Sequence, residues 1–325
     1  MRLLVIGGFS AFDSLGTVVR ALQRRADLEV SYLPIRAMLE TQTPDAVGEA
    51  VVQAALKSDA LLAWQVKGDL PVWVPDRLAR RCARIWWTID DPYLLLTERS
   101  AWRDQADMVL TCSDEAVRYS LARGQRAELV WPAADPEVHG MAQPGGGWDP
   151  TLLADFAFCA TNGYERTLYP RVRAERREIA RALRPLGKLD LWGRWNDSDL
   201  APLCRGWKKY EDLGAVFASA SVNLNNHILP DAPGYLNQRV FEICGSGGFQ
   251  LCDDCAGLRG AGFESGVHLV TWHNLEDLVP KARYYLEHED ERRRIAAAGR
   301  EHALREHGAD RWAGRFVAML EGLVR

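Results

Sequence analysis

Tyr235-Leu236-Asn237-Gln238-Arg239-Val240-Phe241-Glu242-Ile243-Cys244-Gly245-Ser246-Gly247-Gly248-Phe249-Gln250-Leu251 reads as a short helix opened by Asn237, stopped by glycines and followed at once by a buried strand. Asparagine is a favoured helix-opening residue, and glycine a favoured stop. A helix that turns straight into an apolar strand is half of an alternating strand–helix unit. The fold therefore depends on how far that alternation extends.

It extends in both directions. Downstream, His268–Thr271 is a strand candidate, and Leu275, Leu278, Val279, Ala282 and Leu286 mark one helix face. A last helix carries Trp312, Phe316, Met319, Leu320 and Leu323 on one side, too apolar a face to stand in water. Upstream lie Ser221–Leu224, Leu189–Trp192 and Phe156–Ala160, with a helix from about Arg171 and Pro170 near its first turn. Before residue 136 the pattern repeats with Leu3–Ile6, Leu28–Leu33, Ala60–Trp64, Ile85–Ile89, Met108–Cys112 and Glu128–Trp131. These runs are apolar without strict alternation, as parallel strands covered on both faces must be. Leu15, Val18, Val19 and Leu22 give the helical spacing between the first two, and Ser113 and Gly124 bracket another helix. Residues 136–151 interrupt the series with Pro136, Pro144, Gly145-Gly146-Gly147 and Pro150 and read as a linker. The expected architecture is α/β, with two doubly wound Rossmann-like domains over residues 1–150 and 151–308. A ligand cleft between them is the default site.

Bulk properties narrow the function. The chain has 325 residues, 47% of them hydrophobic and 26% charged, enough apolar material for two cores. A net charge of −4 carries no nucleic-acid signature. No segment approaches the ~18 apolar residues of a membrane span, and the apolar run Leu3–Ile6 is too short for a secretory leader. Seven scattered cysteines suit a reducing compartment, so a soluble cytoplasmic protein is expected.

The opening stretch also carries chemistry. A helix N-terminus presents N–H groups and partial positive charge, suited to a diphosphate. Glu242 could accept both hydroxyls of a ribose, and Arg239 could neutralise phosphate through its planar fork. The alternative is an i, i+3 surface ion pair between the same two residues.

At this point the sequence resembles the GT-B glycosyltransferases of the glycosyl transferase group 1 family, and among them the CgeB-like spore-maturation group. Asn237-x-Arg239-x-Phe241-Glu242 leading into a glycine turn and a strand is similar to that group's pattern. So are Asp277-Leu278 to Tyr284-Tyr285-Leu286, then Glu291-Arg292, Ile295-Ala296, Gly299 and His307. Trp87-Thr88-Ile89-Asp90-Asp91-Pro92 resembles its Trp-x-x-Asp-x-Pro segment, and Asp107 to Ser113, Tyr119, Gly124 and Trp131–Asp135 resemble the end of its first domain. The resemblance implies a nucleotide-sugar donor mainly on the second domain, an acceptor on the first, and a terminal helix over 309–325 that returns to the first domain. Related retaining enzymes contact the donor with two glutamates eight positions apart. Glu242 matches the second, which holds the ribose, while the first falls on Gly234. Phe156 to Asn162 resembles the Phe-x-Gly turn that opens the donor domain, with Ala160 in place of glycine.

The candidate donor-binding residues are accordingly Asn162, Arg166, Asn237, Arg239, Glu242 and Gly247. Arg166 is a phosphate clamp or a solvated loop residue. Asp13 and Asp90 are the candidate catalytic bases; Asp13 could equally cap the helix at Leu15, and Asp90-Asp91-Pro92 could be a turn. Three metal-like features are set aside. Cys252-Asp253-Asp254-Cys255 shows no second pair or histidine partner, Asp197-Ser198-Asp199 lies in a polar loop, and His227 reads as structural. The expected activity is metal-independent, retaining transfer of a hexose from a nucleotide-diphosphate sugar to an acceptor the sequence does not identify, with no cofactor. An inverting course would need Asp13 or Asp90 as base. The alternatives are a non-catalytic protein that binds nucleotide sugars and a nucleotide-sugar epimerase of the same fold.

Overall fold

The computed structural model describes residues 1–7, 15–64, 66, 69–89, 91, 101–139, 150–160 and 170–324. The chain divides into two compact units, each built on its own parallel sheet. Unit 1 comprises Met1–Pro132, Ala232–Tyr235 and Ala309–Arg325; unit 2 comprises Ala133–Asp231 and Leu236–Gly308.

In unit 1 the strands are β1 (Arg2–Gly7), β2 (Glu29–Pro34), β3 (Ala60–Trp64), β4 (Ala83–Thr88), β5 (Met108–Thr111) and β6 (Arg126–Leu129), ordered β2-β1-β3-β4-β5-β6. The central strands β1, β3 and β5 are almost wholly buried, which explains their unbroken apolar runs. Helices α1 (Leu15–Gln23), α2 (Pro44–Ala55) and α3 (Asp114–Ala122) connect them. The α2 helix opens with Thr43 accepting from the Ala46 N–H, with Pro44 in the first turn, and Ser113 caps α3 through the Ala116 N–H. Gly124 then takes φ +78, a left-handed turn that glycine adopts without steric cost.

Unit 2 contains α4 (Pro136–His139), β7 (Ala154–Cys159), α5 (Pro170–Leu183), β8 (Leu189–Trp192), β9 (Cys204–Gly206), α6 (Leu213–Ser219), β10 (Ala220–Asn225), α7 (Gln238–Gly245), β11 (Gln250–Asp253), β12 (Val270–Trp272), α8 (Leu275–Glu287) and α9 (Glu289–His307). The sheet order β12-β11-β10-β7-β8-β9 reverses direction between β7 and β10. That reversal is the topological switch point, where the loops at the carboxyl ends diverge and leave a crevice for ligand. The core beneath it is formed by Phe156, Phe158, Leu191, Val222, Leu224 and Leu251 from the strands, covered by Ile179, Leu183, Leu278 and Ile295 from the helices.

Two details depart from expectation. Unit 2 begins at Ala133, and the first part of the expected linker is helix α4. The Asp135 carboxylate accepts the Glu137 N–H, and Val138 is buried beside Leu213 and Phe217. Strand β9 was not anticipated: three residues, Cys204-Arg205-Gly206, at the sheet edge carry no apolar run.

The terminal helix α10 (Ala309–Val324) is part of unit 1. Its Trp312 stacks on Trp87 with ring centroids 4.7 Å apart, and Arg24 of unit 1 pairs with Asp310. Among the described residues no helix is long and apolar enough to cross a membrane.

Candidate functional site

Helix α7 points its N-terminus toward the switch point of unit 2, and the side chains around that end form a continuous polar network. Asn237 is the N-cap residue in an extended conformation, φ −78 and ψ 160, but its side chain makes no capping bond. It is committed to Asn225 at the end of β10: Asn225 Nδ2 donates to Asn237 Oδ1 at 3.1 Å, and Asn237 Nδ2 donates to Asn225 Oδ1 at 2.8 Å. The first amides of α7 are thus not occupied by their own cap, an arrangement suited to an anionic ligand.

Arg239 leans across to β7, where its Nε donates to the Cys159 carbonyl at 3.1 Å. Its Nη1 donates to the Glu242 carboxylate. The i, i+3 pair anticipated from sequence therefore exists, but it is not a surface pair: the Glu242 side chain is 2% exposed and that of Arg239 32%. Tyr210, reached from the loop after β9, completes the setting. Its hydroxyl accepts from Gln238 Nε2 at 2.7 Å and hydrogen-bonds to Glu242. Burial, then the neighbouring carboxylate, pushes the Tyr210 pKa well above its ordinary value, so it stays a donor. His139 of α4 meets the Tyr210 ring edge-on at 5.6 Å. The Asp135 N–H donates to its Nδ1 at 2.9 Å, which leaves the proton on Nε2, and burial lowers its pKa. That Nε2 has no hydrogen-bond partner among the described residues.

After Glu242 the helix ends on Gly245. Ser246 Oγ donates back to the Glu242 carbonyl at 2.7 Å, and Gly247 takes φ +76. At Gly248 a Cβ would stand 2.7 Å from both Asn223 Nδ2 and the Phe217 carbonyl. The glycines let the chain reverse tightly from α7 into β11.

Beyond Asn225 the network continues to the end of β11. The Asp253 carboxylate accepts the His227 backbone N–H at 2.7 Å and lies 2.6 Å from His227 Nδ1. Burial alone would lower the His227 pKa; the Asp253 charge outweighs this and raises it well above the ordinary value. Cys252 Sγ lies 3.9 Å from the same imidazole nitrogen, and burial raises its pKa to about 12. The fold thus supplies the histidine neighbour that the sequence around Cys252 lacks.

Of the sequence candidates, Asn237, Arg239, Glu242 and Gly247 lie together on or beside α7. Asp13, Asp90, Asn162 and Arg166 lie outside the described residues. Asp91 is buried in unit 1, accepting from Arg103 at 3.1 Å and the Thr111 hydroxyl at 2.7 Å. Asp197 and Asp199 pair with Arg177 and Arg181 of α5. Gly234, where the resemblance places a first glutamate, has φ +77, and its carbonyl accepts from Trp131 Nε1 at 2.8 Å. Tyr210, Gln238 and His139 were missed.

Against known structures the chain aligns over its full length. The Anabaena Alr3699/HepE structure in complex with UDP-glucose matches at 13% identity and TM-score 0.68, covering 99% of this chain and 100% of that one. Sucrose-phosphate synthase from Thermosynechococcus elongatus matches at 12% identity and TM-score 0.68, covering 99% and 98%. The fold is GT-B. A protein described as a candidate UDP-N-acetylglucosamine 2-epimerase from Listeria monocytogenes shares the GT-B fold at 15% identity, TM-score 0.60, covering 99% and 96%. Residues 171–318 match the model of the glycosyl transferase-like family, a span that contains α7 and its polar setting except Asp135, His139 and Cys159. No curated protein is similar in sequence at a significant level.

Proposed function

We infer that this GT-B protein is a glycosyltransferase that takes a hexose from a nucleotide-diphosphate sugar, and that it is of the CgeB-like kind. The observation that carries the reading is the buried Glu242 carboxylate, held by Arg239 and Tyr210 beside an N-terminus of α7 that its own cap leaves unoccupied. Glu242 receives the ribose hydroxyls. The α7 amides and Arg239 face the diphosphate. As the glycosidic bond breaks, charge builds on the departing phosphate, and fixed N–H dipoles stabilise it without reorganising. This electrostatic route places no metal on the diphosphate. Transfer is retaining, with the leaving phosphate taking the acceptor proton.

The test is a thermal-shift screen against UDP, GDP, dTDP, ADP and CMP, with their common sugars and NAD(H). A ligand at ~100 times its Kd raises stability by ~2.7 kcal/mol. One base should shift the wild type and lose its effect in Glu242→Ala. A shift that survives this substitution places the nucleotide elsewhere. Release of an epimerised sugar nucleotide, without transfer, would replace the transferase reading by the epimerase one, the activity for which a neighbour of the same fold is a candidate. Nucleotide binding with no turnover of any donor would leave a binding protein.

A further inference from the structure

We propose that His227, Cys252 and Asp253 form a binding site for a zinc ion at the carboxyl ends of β10 and β11. The three donor atoms, His227 Nδ1, Cys252 Sγ and Asp253 Oδ1, stand 2.6, 3.9 and 3.8 Å apart. A triangle with those sides has a centre about 2.1 Å from every corner, and zinc takes nitrogen and oxygen at about 2.0–2.2 Å and thiolate sulfur at about 2.3 Å. Tetrahedral zinc at those bond lengths sets nitrogen and oxygen about 3.3 Å apart and sulfur about 3.6 Å from each, so an ion is taken up above the plane of the three atoms once the His227–Asp253 contact opens by about 0.7 Å and the two sulfur contacts close by about 0.3 Å, and the fourth position goes to water. The histidine arrives from the loop after β10. The parallel register that sets Asn225 opposite Cys252 brings it to the two β11 ligands.

Burial and charge support the same assignment. His227 and Cys252 are 0% exposed and Asp253 6%. A thiolate and a carboxylate together cancel a divalent charge, so the loaded site is neutral, the condition under which buried ions are tolerated. The surrounding donors are placed as around a metal. The His227 N–H holds Asp253 by Oδ2, leaving Oδ1 toward the ion, and Asn225 Nδ2 donates to Cys252 Sγ at 3.6 Å. One soft sulfur and one imidazole select zinc over magnesium or calcium. Zinc displaces the proton between His227 and Asp253 and the proton of the Cys252 thiol; both pass to solvent. The site uses none of Arg239, Glu242 or Tyr210 and stands independently of the donor reading.

The full-length protein, stripped with a chelator, is titrated with zinc alone and with cobalt alone. One equivalent per chain should bind, with cobalt giving a thiolate charge-transfer band that disappears in Cys252→Ser. Asp253→Asn should weaken zinc binding at least about tenfold. Circular dichroism confirms that each variant is folded, and the nucleotide screen reports the donor site separately. A zinc-edge X-ray absorption spectrum of the wild type needs no variant: one sulfur and two or three nitrogen or oxygen neighbours are expected. Substoichiometric zinc, a shell without sulfur, or a cobalt band that persists in Cys252→Ser overturns the proposal.

Discussion

Arg239 and Glu242 are bonded one helical turn apart, yet they are unequally buried: 32% of the arginine side chain is exposed and 2% of the glutamate. Removing either partner therefore has a different cost. Arg239→Ala strands a buried carboxylate with Tyr210 as its remaining partner, a loss of about 3 kcal/mol. Glu242→Ala leaves a partly hydrated guanidinium still bonded to the Cys159 carbonyl, and costs about 1–2 kcal/mol. Urea denaturation of the two variants should show the arginine variant less stable. The reverse order would mean that Glu242 is not the buried charge of the pair.

His139 makes stability fall on acidification. Its Nδ1 is occupied as an acceptor, and burial lowers its pKa below the ordinary ~6.5. Between the lowered folded value and ~6.5 the unfolded chain binds the extra proton, so stability decreases as pH falls through that window, by at most about 1.4 kcal/mol per pH unit. Above it the residue contributes no slope. Denaturation midpoints at pH 7.5 and 5.5 should differ by less in His139→Gln than in the wild type. An unchanged difference would assign the acid sensitivity to other groups.

Gly234 stands where the resemblance to retaining enzymes would place a carboxylate, and its backbone disfavours one. At φ +77, with a Cβ position 2.9 Å from the Asp114 carboxyl carbon, this backbone disfavours any side chain. A left-handed conformation costs a non-glycine residue about 1–2 kcal/mol, and the collision adds about 1–3 kcal/mol. Gly234→Ala should lower the melting temperature and Gly234→Glu should lower it further. A Gly234→Glu variant as stable as the wild type would show that the chain can accept a carboxylate there.

Much of this architecture was legible because buried parallel strands must be apolar on both faces. Leu61 to Trp64 and Leu189 to Trp192 announce themselves for that reason. Strand β9 did not, since an edge strand of Cys204-Arg205-Gly206 answers to no such constraint. Asn237 and the glycines marked the ends of α7, and Glu242 could be singled out as the carboxylate on that helix. Its environment could not. Tyr210 lies 32 residues earlier by numbering and His139 further still, and neither local spacing nor composition ties them to Glu242. The meeting of His227 with Cys252 and Asp253 likewise depends on strand register, which only the assembled sheet defines.

The stack of Trp87 on Trp312 fixes the terminal helix within unit 1. The two indoles lie 14° from coplanar, and Trp312 is 7% exposed. Trp312→Ala removes that contact and leaves a cavity, a loss of about 3–5 kcal/mol. Limited proteolysis should then cut within residues 309–324 before the rest of the chain. Equal resistance in variant and wild type would show that other contacts of α10 suffice.

Tyr210 and Gln238 decide how sharply the Glu242 carboxylate is aimed. With Arg239 on one side and the tyrosine hydroxyl on another, the carboxylate is held in one orientation, and Gln238 fixes the hydroxyl in turn. A carboxylate held this way can receive two ribose hydroxyls at once, and a nucleotide lacking the 2′-hydroxyl loses one of those bonds. Wild-type protein should therefore prefer a ribonucleoside diphosphate over its 2′-deoxy counterpart by about 1.5–3 kcal/mol, the worth of a hydrogen bond to a charged group, or some ten- to hundredfold in Kd. Glu242→Gln should nearly abolish that preference. Tyr210→Phe keeps the carboxylate but frees it to rotate, so the preference should shrink while ribonucleotide binding persists. Isothermal titration with the two nucleotides measures both quantities. If Tyr210→Phe weakens both ligands equally, the tyrosine supports the fold alone. If the wild type fails to distinguish them, the ribose is not held by Glu242.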